Sequence, residues 1–142
     1  MSDLHEAMWI AFEAFDGQKD DDDMPKILHS LRVMMDDDLT TTTERIVAIL
    51  HDVIEDCPQW EVNIKARFDT TVLAALHALN HPSSESYGQY ISRVCDNYIA
   101  RCVKIADIRD NTQPARIGKI KDAVRRQRMR DKYEDALKVL MK

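Results

Sequence analysis

The sequence predicts an all-α fold, and three features indicate this. Only three glycines and four prolines occur among 142 residues, so the tight turns that β-hairpins need are scarce. Strong helix formers, among them Ala, Leu, Glu, Arg and Lys, are plentiful. No segment alternates apolar and polar residues as a half-buried strand does. Because 44% of the chain is hydrophobic, it can fill one core, and we expect residues 1–142 to form a single domain.

Helical periodicity and local end signals place each element. Gly17 follows the first helix, Pro25 suits the first turn of the second, and Pro58 stops the third. The third opens with a capping box from Thr41 to Glu44. The expected helices are about Asp3–Phe15, Pro25–Met35, Thr41–Asp56, Gln59–Arg67, Asp69–Asn80 and Ser83–Cys95, where Thr70 and Ser84 are the alternative starts of the last two. Another covers about Tyr98–Asp110, and one or two more lie in Gln113–Lys142.

The composition excludes several classes of protein. No apolar run approaches the roughly 18 residues of a membrane span. The N-terminus lacks the basic and apolar regions of a signal peptide. An odd number of cysteines without a Cys-x-x-Cys pattern favours reduced thiols over a disulfide framework or a zinc knuckle. We therefore expect a cytoplasmic protein with no membrane partner.

Charge is distributed unevenly along the chain. Residues 1–60 hold 15 acids and 4 bases, whereas residues 97–142 hold 13 bases and 6 acids. This asymmetry suits a metal site that faces a phosphate, and it also suits ordinary solvated helix faces. The arginines of residues 125–130 have two interpretations as well: they bind substrate phosphates, or they form a solvated surface or a contact in a homo-oligomer. Aromatic residues are too few there for a stacking platform, so we expect no nucleic-acid partner.

The third predicted helix has two distinct faces. At about 100° per residue, His51, Asp52 and Glu55 fall on one polar arc. An imidazole nitrogen next to a carboxylate oxygen is a ligand set that suits divalent metal ions. Glu55, one turn on, is placed to handle a metal-bound water. The opposite, apolar arc contains Ile46, Ile49, Leu50, Val53 and Ile54.

Two other helices carry candidate partners for this arc. His29 lies on the second helix. Lys104, Asp107 and Asn111 share one face at i, i+3 and i+7, framed by apolar neighbours, which indicates a buried polar site. Each has a structural alternative: a core histidine for His29, an ion pair with Lys104 or Arg101 for Asp107, and a helix C-cap for Asn111.

These motifs resemble the HD superfamily of metal-dependent phosphohydrolases. More closely, they are similar to the hydrolase domain of RelA/SpoT proteins and their small stand-alone relatives. The strongest part is the pair His-Asp-x-x-Glu-Asp and Lys-x-Ala-Asp-x-x-x-Asn at this separation. The matching segments are Ala14–Lys19, Pro25–His29, Leu50–Asp56, Ser86–Val94 and Lys104–Asn111, within about residues 7–111.

The resemblance implies an HD-type helical bundle that removes pyrophosphate from the 3′ position of guanosine tetra- or pentaphosphate. It implies one divalent ion, usually manganese. The implied metal ligands are His29, His51, Asp52 and Asp107. The implied water-handling residues are Glu55 and Asp56, and the implied substrate contacts are Lys19, Lys104 and Asn111.

The chain departs from the family pattern mainly at the residues that contact the nucleotide in the family. Asp20–Asp23 stand near Lys19 where the family has basic residues, and Lys26 replaces a tyrosine. The metal set is intact. The alternatives are therefore a hydrolase of another nucleotide or phosphate ester, and a nucleotide-binding module without catalysis.

Overall fold

The computed structural model describes residues 2–142 and shows a bundle of helices, with no strand among these residues. The all-α prediction is confirmed. The helices are α1 (Asp3–Ala14), α2 (Ile27–Met34), α3 (Thr42–Leu50), α4 (Val53–Asp56), α5 (Glu61–Arg67), α6 (Thr70–Leu79), α7 (Tyr87–Val94), α8 (Tyr98–Asn111), α9 (Pro114–Ile117) and α10 (Ala123–Leu140), with a 3₁₀ turn at Pro58–Trp60.

Helix α3 begins at the predicted capping box. The Glu44 N–H donates to the Thr41 hydroxyl at 3.1 Å, and the Glu44 carboxylate accepts from the Thr41 N–H at 3.2 Å. Two of the backbone donors that a helix start leaves unpaired are thus satisfied. Helix α7 begins later than predicted, because Ser86 and Gln89 form the capping box there rather than Ser83 or Ser84.

The predicted continuous helix from Thr41 to Asp56 is wrong. It breaks at His51-Asp52, between α3 and α4. The carbonyl of Ala48 accepts from the His51 N–H at 3.4 Å and from His51 Nδ1 at 2.6 Å. The backbone bond to residue i−3 and the ring's bond to the same oxygen tighten the last turn of α3 and end its regular ladder. As a result, His51 and Asp52 sit on a turn between two helices.

Helix α3 is the centre of the core. It packs against α1, α2, α6 and α8, and its residues from Val47 to Leu50 are fully buried. Helix α2 also packs against α8. The side of the bundle where α2, the end of α3 and α8 meet therefore brings His29, His51 and Asp107 together, although 78 positions separate the first from the last.

The C-terminal segment folds back onto the bundle. Asp122 caps α10 by accepting from the N–H groups of Val124 and Arg125 at 2.9 and 3.3 Å, and α10 packs against α7 and α8. None of the described helices combines the length and the apolar character of a membrane span. All three cysteines are free thiols; Cys57 is buried and the other two are half-buried.

Candidate metal centre

Four side chains implied as metal ligands converge at one point. Asp107 Oδ1 lies 2.8 Å from His29 Nε2 and 3.3 Å from His51 Nε2. Asp52 Oδ2 lies 3.2 Å from His51 Nε2 and 3.7 Å from His29 Nε2. One ligand atom from each of His29, His51 and Asp107 lies within 4.8 Å of the others, so these three alone could hold an ion. Two nitrogens and two carboxylate oxygens form a donor set that fits a divalent cation.

The outer nitrogen of each imidazole is held by an acceptor. His51 Nδ1 donates to the Ala48 carbonyl at 2.6 Å, and because a carbonyl only accepts, Nδ1 carries the proton. His29 Nδ1 donates to the Asp110 carboxylate, also at 2.6 Å. Both rings therefore turn Nε2 toward the carboxylates. Metal-binding histidines are held in this way in proteins, with the second nitrogen bonded to a carbonyl or carboxylate.

Asp110 is a site residue that the sequence reasoning missed. Its carboxylate is buried and also accepts from Arg32 Nε at 2.7 Å and Nη2 at 3.2 Å. Arg116 Nη1 lies 3.5 Å away. Burial works to raise the pKa of Asp110, but the bonds from His29 and Arg32 hold it below its usual value. A signal was present, since Asp110 follows Asp107 at i+3 on one helix face.

The electrostatics of the cluster favour positive charge at its centre. Burial lowers the pKa of His51, but the carboxylates of Asp52 and Asp107 outweigh it and raise this pKa well above the usual value. Burial raises the pKa of Asp107, but Lys104 and the two imidazoles hold it well below its usual value. The same attraction would act on a metal cation placed between the carboxylates.

Lys104 and Asn111 both contact Asp107. Lys104 Nζ lies 2.9 Å from Asp107 Oδ2, and Asn111 Nδ2 donates to Asp107 Oδ1 at 3.4 Å. Burial disfavours the charged ammonium, but the Asp107 charge leads the effects that raise the pKa of Lys104 above its usual value. Asp107 therefore forms the ion pair with Lys104 that was one structural alternative, and the same carboxylate also lies against both imidazoles.

The two residues implied to handle water differ in their surroundings. Asp56 Oδ2 pairs with Lys26 Nζ at 2.7 Å, so the ammonium of Lys26 holds this carboxylate. Glu55 is exposed and makes no hydrogen bond or ion pair with any of residues 2–142. Partial burial and the neighbouring charges of Asp52 and Asp56 raise the pKa of Glu55.

Lys19 lies in an exposed loop. Its ammonium pairs with Asp23 at 3.2 Å, and 60% of its side chain is accessible. Within the part of the chain that the structure describes, the Lys19 side chain forms no hydrogen bond or ion pair with the other implied site residues. The structure therefore brings together the four implied ligands, Lys104 and Asn111, but not Lys19.

A cavity of about 470 Å³ adjoins the centre at Asn111. One wall is basic and comes from α9, α10 and the segment between them. The facing wall contains the acidic loop before α2. The charged and aromatic lining residues are Asp20, Asp21, Asp22, Arg116, Lys119, Lys121, Asp122, Arg125 and Tyr133.

No protein-family model and no curated protein matches the sequence. Among solved structures, the chain is similar to a protein described as a metazoan ortholog of SpoT that hydrolyses ppGpp and plays a role in starvation responses. The TM-score is 0.84 at 19% sequence identity, over 99% of this chain and 86% of that one. This likeness establishes the fold. The chain adopts the all-helical architecture of that hydrolase, as the resemblance to HD phosphohydrolases implied.

Proposed function

We propose that this chain is a metal-dependent phosphohydrolase of a phosphorylated nucleotide, with a guanosine 3′-pyrophosphate as the first substrate. The observation that carries the proposal is the convergence of His29, His51, Asp52 and Asp107, with each imidazole held at its outer nitrogen. The similar fold of a protein that hydrolyses ppGpp supports it.

The chain's own residues divide the work of hydrolysis. A divalent ion held by the four ligands would lower the pKa of a bound water and would offset the negative charge of the phosphate. Glu55 accepts the proton of the attacking water, because it is unpaired and its raised pKa brings it closer to neutral pH. Asp56 orients that water, and its own position is fixed by the ion pair with Lys26. Asn111, which lines the adjoining cavity, and Lys104 both contact Asp107 and are the proposed substrate contacts.

The cavity beside Asn111 supports a nucleotide as the substrate. Its volume of about 470 Å³ lies in the range of small-molecule sites. We further propose manganese as the ion, as the resemblance to HD phosphohydrolases implies; mixed nitrogen and oxygen ligands suit it as they suit other divalent ions. The free thiols support a cytoplasmic location. Since α10 packs on α7 and α8, we also infer that the described helices act as one domain.

The charge of the cavity favours a second candidate substrate. Its lining holds four carboxylates and four cationic side chains, so it is neutral overall. Guanosine tetraphosphate carries a second pyrophosphate group besides the one that is cleaved. A neutral cavity attracts this second anionic group less strongly than a basic cavity would. A nucleotide with fewer phosphates, cleaved by the same residues, is therefore the alternative.

The experiment is a hydrolysis screen with the metal-loaded protein. Guanosine tetraphosphate and a panel of nucleoside mono-, di- and triphosphates are each assayed with manganese, magnesium and zinc. We expect pyrophosphate release from guanosine tetraphosphate, and no metal binding by Asp107→Ala. If the protein binds the metal but hydrolyses no member of the panel, the proposed activity is wrong. Tight nucleotide binding in that case would identify a binding module.

A further inference from the structure

A cluster of tyrosines and lysines adjoins the metal centre on the side of α7 and α10. It consists of Tyr87 and Tyr90 on α7, Lys104 on α8, and Lys132 and Tyr133 on α10. Lys104 joins it to the metal centre, because its ammonium contacts Asp107 and lies 5.3 Å from the centre of the Tyr90 ring. Tyr133 also lines the cavity beside Asn111. We call this set the tyrosine–lysine cluster.

The Tyr87 hydroxyl is an unmatched donor inside this cluster. It is the one buried side-chain polar atom among residues 2–142 that has no hydrogen-bond partner. Tyr90, three residues later, donates its hydroxyl to the Leu79 carbonyl at 2.8 Å. Burial raises the pKa of Tyr87 to about 12, so its hydroxyl stays protonated at neutral pH. Buried donors are rarely left unpaired, since the loss of hydration goes uncompensated.

The ammonium group of Lys132 lies over the ring of Tyr87 and has no acidic partner in the described part of the chain. Its Nζ lies 4.2 Å from the centre of the Tyr87 ring and 5.6 Å from that of Tyr133. No carboxylate of residues 2–142 lies within ion-pairing distance of it, whereas Lys138 on the same helix pairs with Glu134. Partial burial, followed by the charge of Lys104, lowers the pKa of Lys132. An anion bound near Lys132 would offset the repulsion between the ammonium groups of Lys132 and Lys104.

We propose that Tyr87 and Lys132 form an anion-binding subsite that receives phosphate oxygens of the substrate beside the metal centre. The inference rests on the proposed function and adds two residues to its substrate contacts. Lys132 supplies the charge and Tyr87 a directed O–H donor, the combination that binds phosphate oxygens strongly. The alternative is that a cation–π contact alone holds Lys132 over Tyr87.

The test measures pyrophosphate binding to the manganese-loaded full chain by calorimetry, alongside thermal unfolding and hydrolysis. Lys132→Met removes the charge and keeps the apolar stem, and Tyr87→Phe removes only the hydroxyl. Lys138→Met is the matched control on the exposed face of α10. We expect Kd for pyrophosphate to rise about tenfold for Lys132→Met and about fivefold for Tyr87→Phe. The control is expected to stay within about twofold of the wild type.

The unfolding data separate binding from structure. A ligand contact predicts that Tyr87→Phe weakens pyrophosphate binding while Tm stays equal or rises, because the lost hydroxyl had no partner in the protein. A purely structural role predicts wild-type Kd in this variant. Wild-type Kd in both Tyr87→Phe and Lys132→Met would overturn the subsite. So would a wild-type protein that binds manganese but not pyrophosphate.

The hydrolysis data separate this inference from the proposed function. Weakened pyrophosphate binding in both variants, with no nucleotide hydrolysed by the wild type, defeats the activity and leaves the anion subsite standing. Hydrolysis with unchanged KM and unchanged pyrophosphate Kd in both variants leaves the activity standing and removes the subsite.

Discussion

Asp110 provides a direct test of how the candidate metal centre is built, because its carboxylate acts on the proposed metal site through its hydrogen bond with His29. Its carboxylate accepts from His29 Nδ1 at 2.6 Å and from Arg32 at 2.7 and 3.2 Å. We predict that Asp110→Asn weakens manganese binding. The replacing amide has almost the same shape but carries no charge, so it holds the imidazole less firmly and makes Nε2 a poorer donor.

The size of the effect follows from the bond that is weakened. A hydrogen bond to a charged group contributes about 1.5–3 kcal/mol, and about 1.4 kcal/mol corresponds to a tenfold change in Kd. The amide oxygen still accepts one bond, so only part of that energy is lost. We therefore expect the manganese Kd to rise about 10- to 30-fold, within the range for residues that orient metal ligands.

The assay is calorimetric titration of metal-free protein with manganese. Asp135→Asn, an exposed position on α10, is the matched control and is expected to leave Kd unchanged. Circular dichroism checks that the variant stays helical. A folded Asp110→Asn protein with the wild-type manganese Kd would refute the argument that His29 is held for metal binding by Asp110.

Three further outcomes are expected. Glu55→Gln should keep manganese affinity but slow hydrolysis about 100-fold or more, as measured by single-turnover kinetics; an unchanged rate would exclude Glu55 as the base. A base works only when ionised, so activity falls as pH drops through the pKa of Glu55, which burial, Asp52 and Asp56 raise. Asp56→Asn removes one of these charges and should move the acid limb of the pH–rate profile to lower pH; a shift to higher pH would contradict this. Ile49→Ala, at a fully buried position, should lower the free energy of unfolding by about 2–5 kcal/mol in urea titrations, whereas a loss under about 1 kcal/mol would argue against the α3 core.

The helices were largely predictable because their end signals are local. The capping box at Thr41 and Glu44 is a contact between residues three apart, and it forms as predicted. The start of α7 was predicted too early because Ser83, Ser84 and Ser86 compete as caps, and the reciprocal bonds form with Gln89 three residues after Ser86. Local signals thus predict that a helix begins in this segment. Which of several possible N-cap residues begins it depends on the backbone geometry.

The break at His51 could not be read from the chain. The residues from Ile49 to Asp56 are all compatible with a helix, and periodicity continues through them. The turn forms where the His51 ring bonds the Ala48 carbonyl while its other nitrogen faces Asp107 on α8. A residue 56 positions away therefore takes part in fixing the geometry of this turn.

The sequence by itself determined the helical class and the chemistry of the candidate centre. Residue type decides whether a side chain offers nitrogen or oxygen ligands, and helical spacing decides which of them share a face. Tertiary structure alone decided how those groups are held. Ala48 and Asp110 bind the outer nitrogens, and Lys132 lies over Tyr87, because α2, α3, α7, α8 and α10 pack side by side. The orientation of an imidazole and the pairing of an ammonium depend on atoms within about 3–4 Å, and sequence spacing does not specify such neighbours across helices.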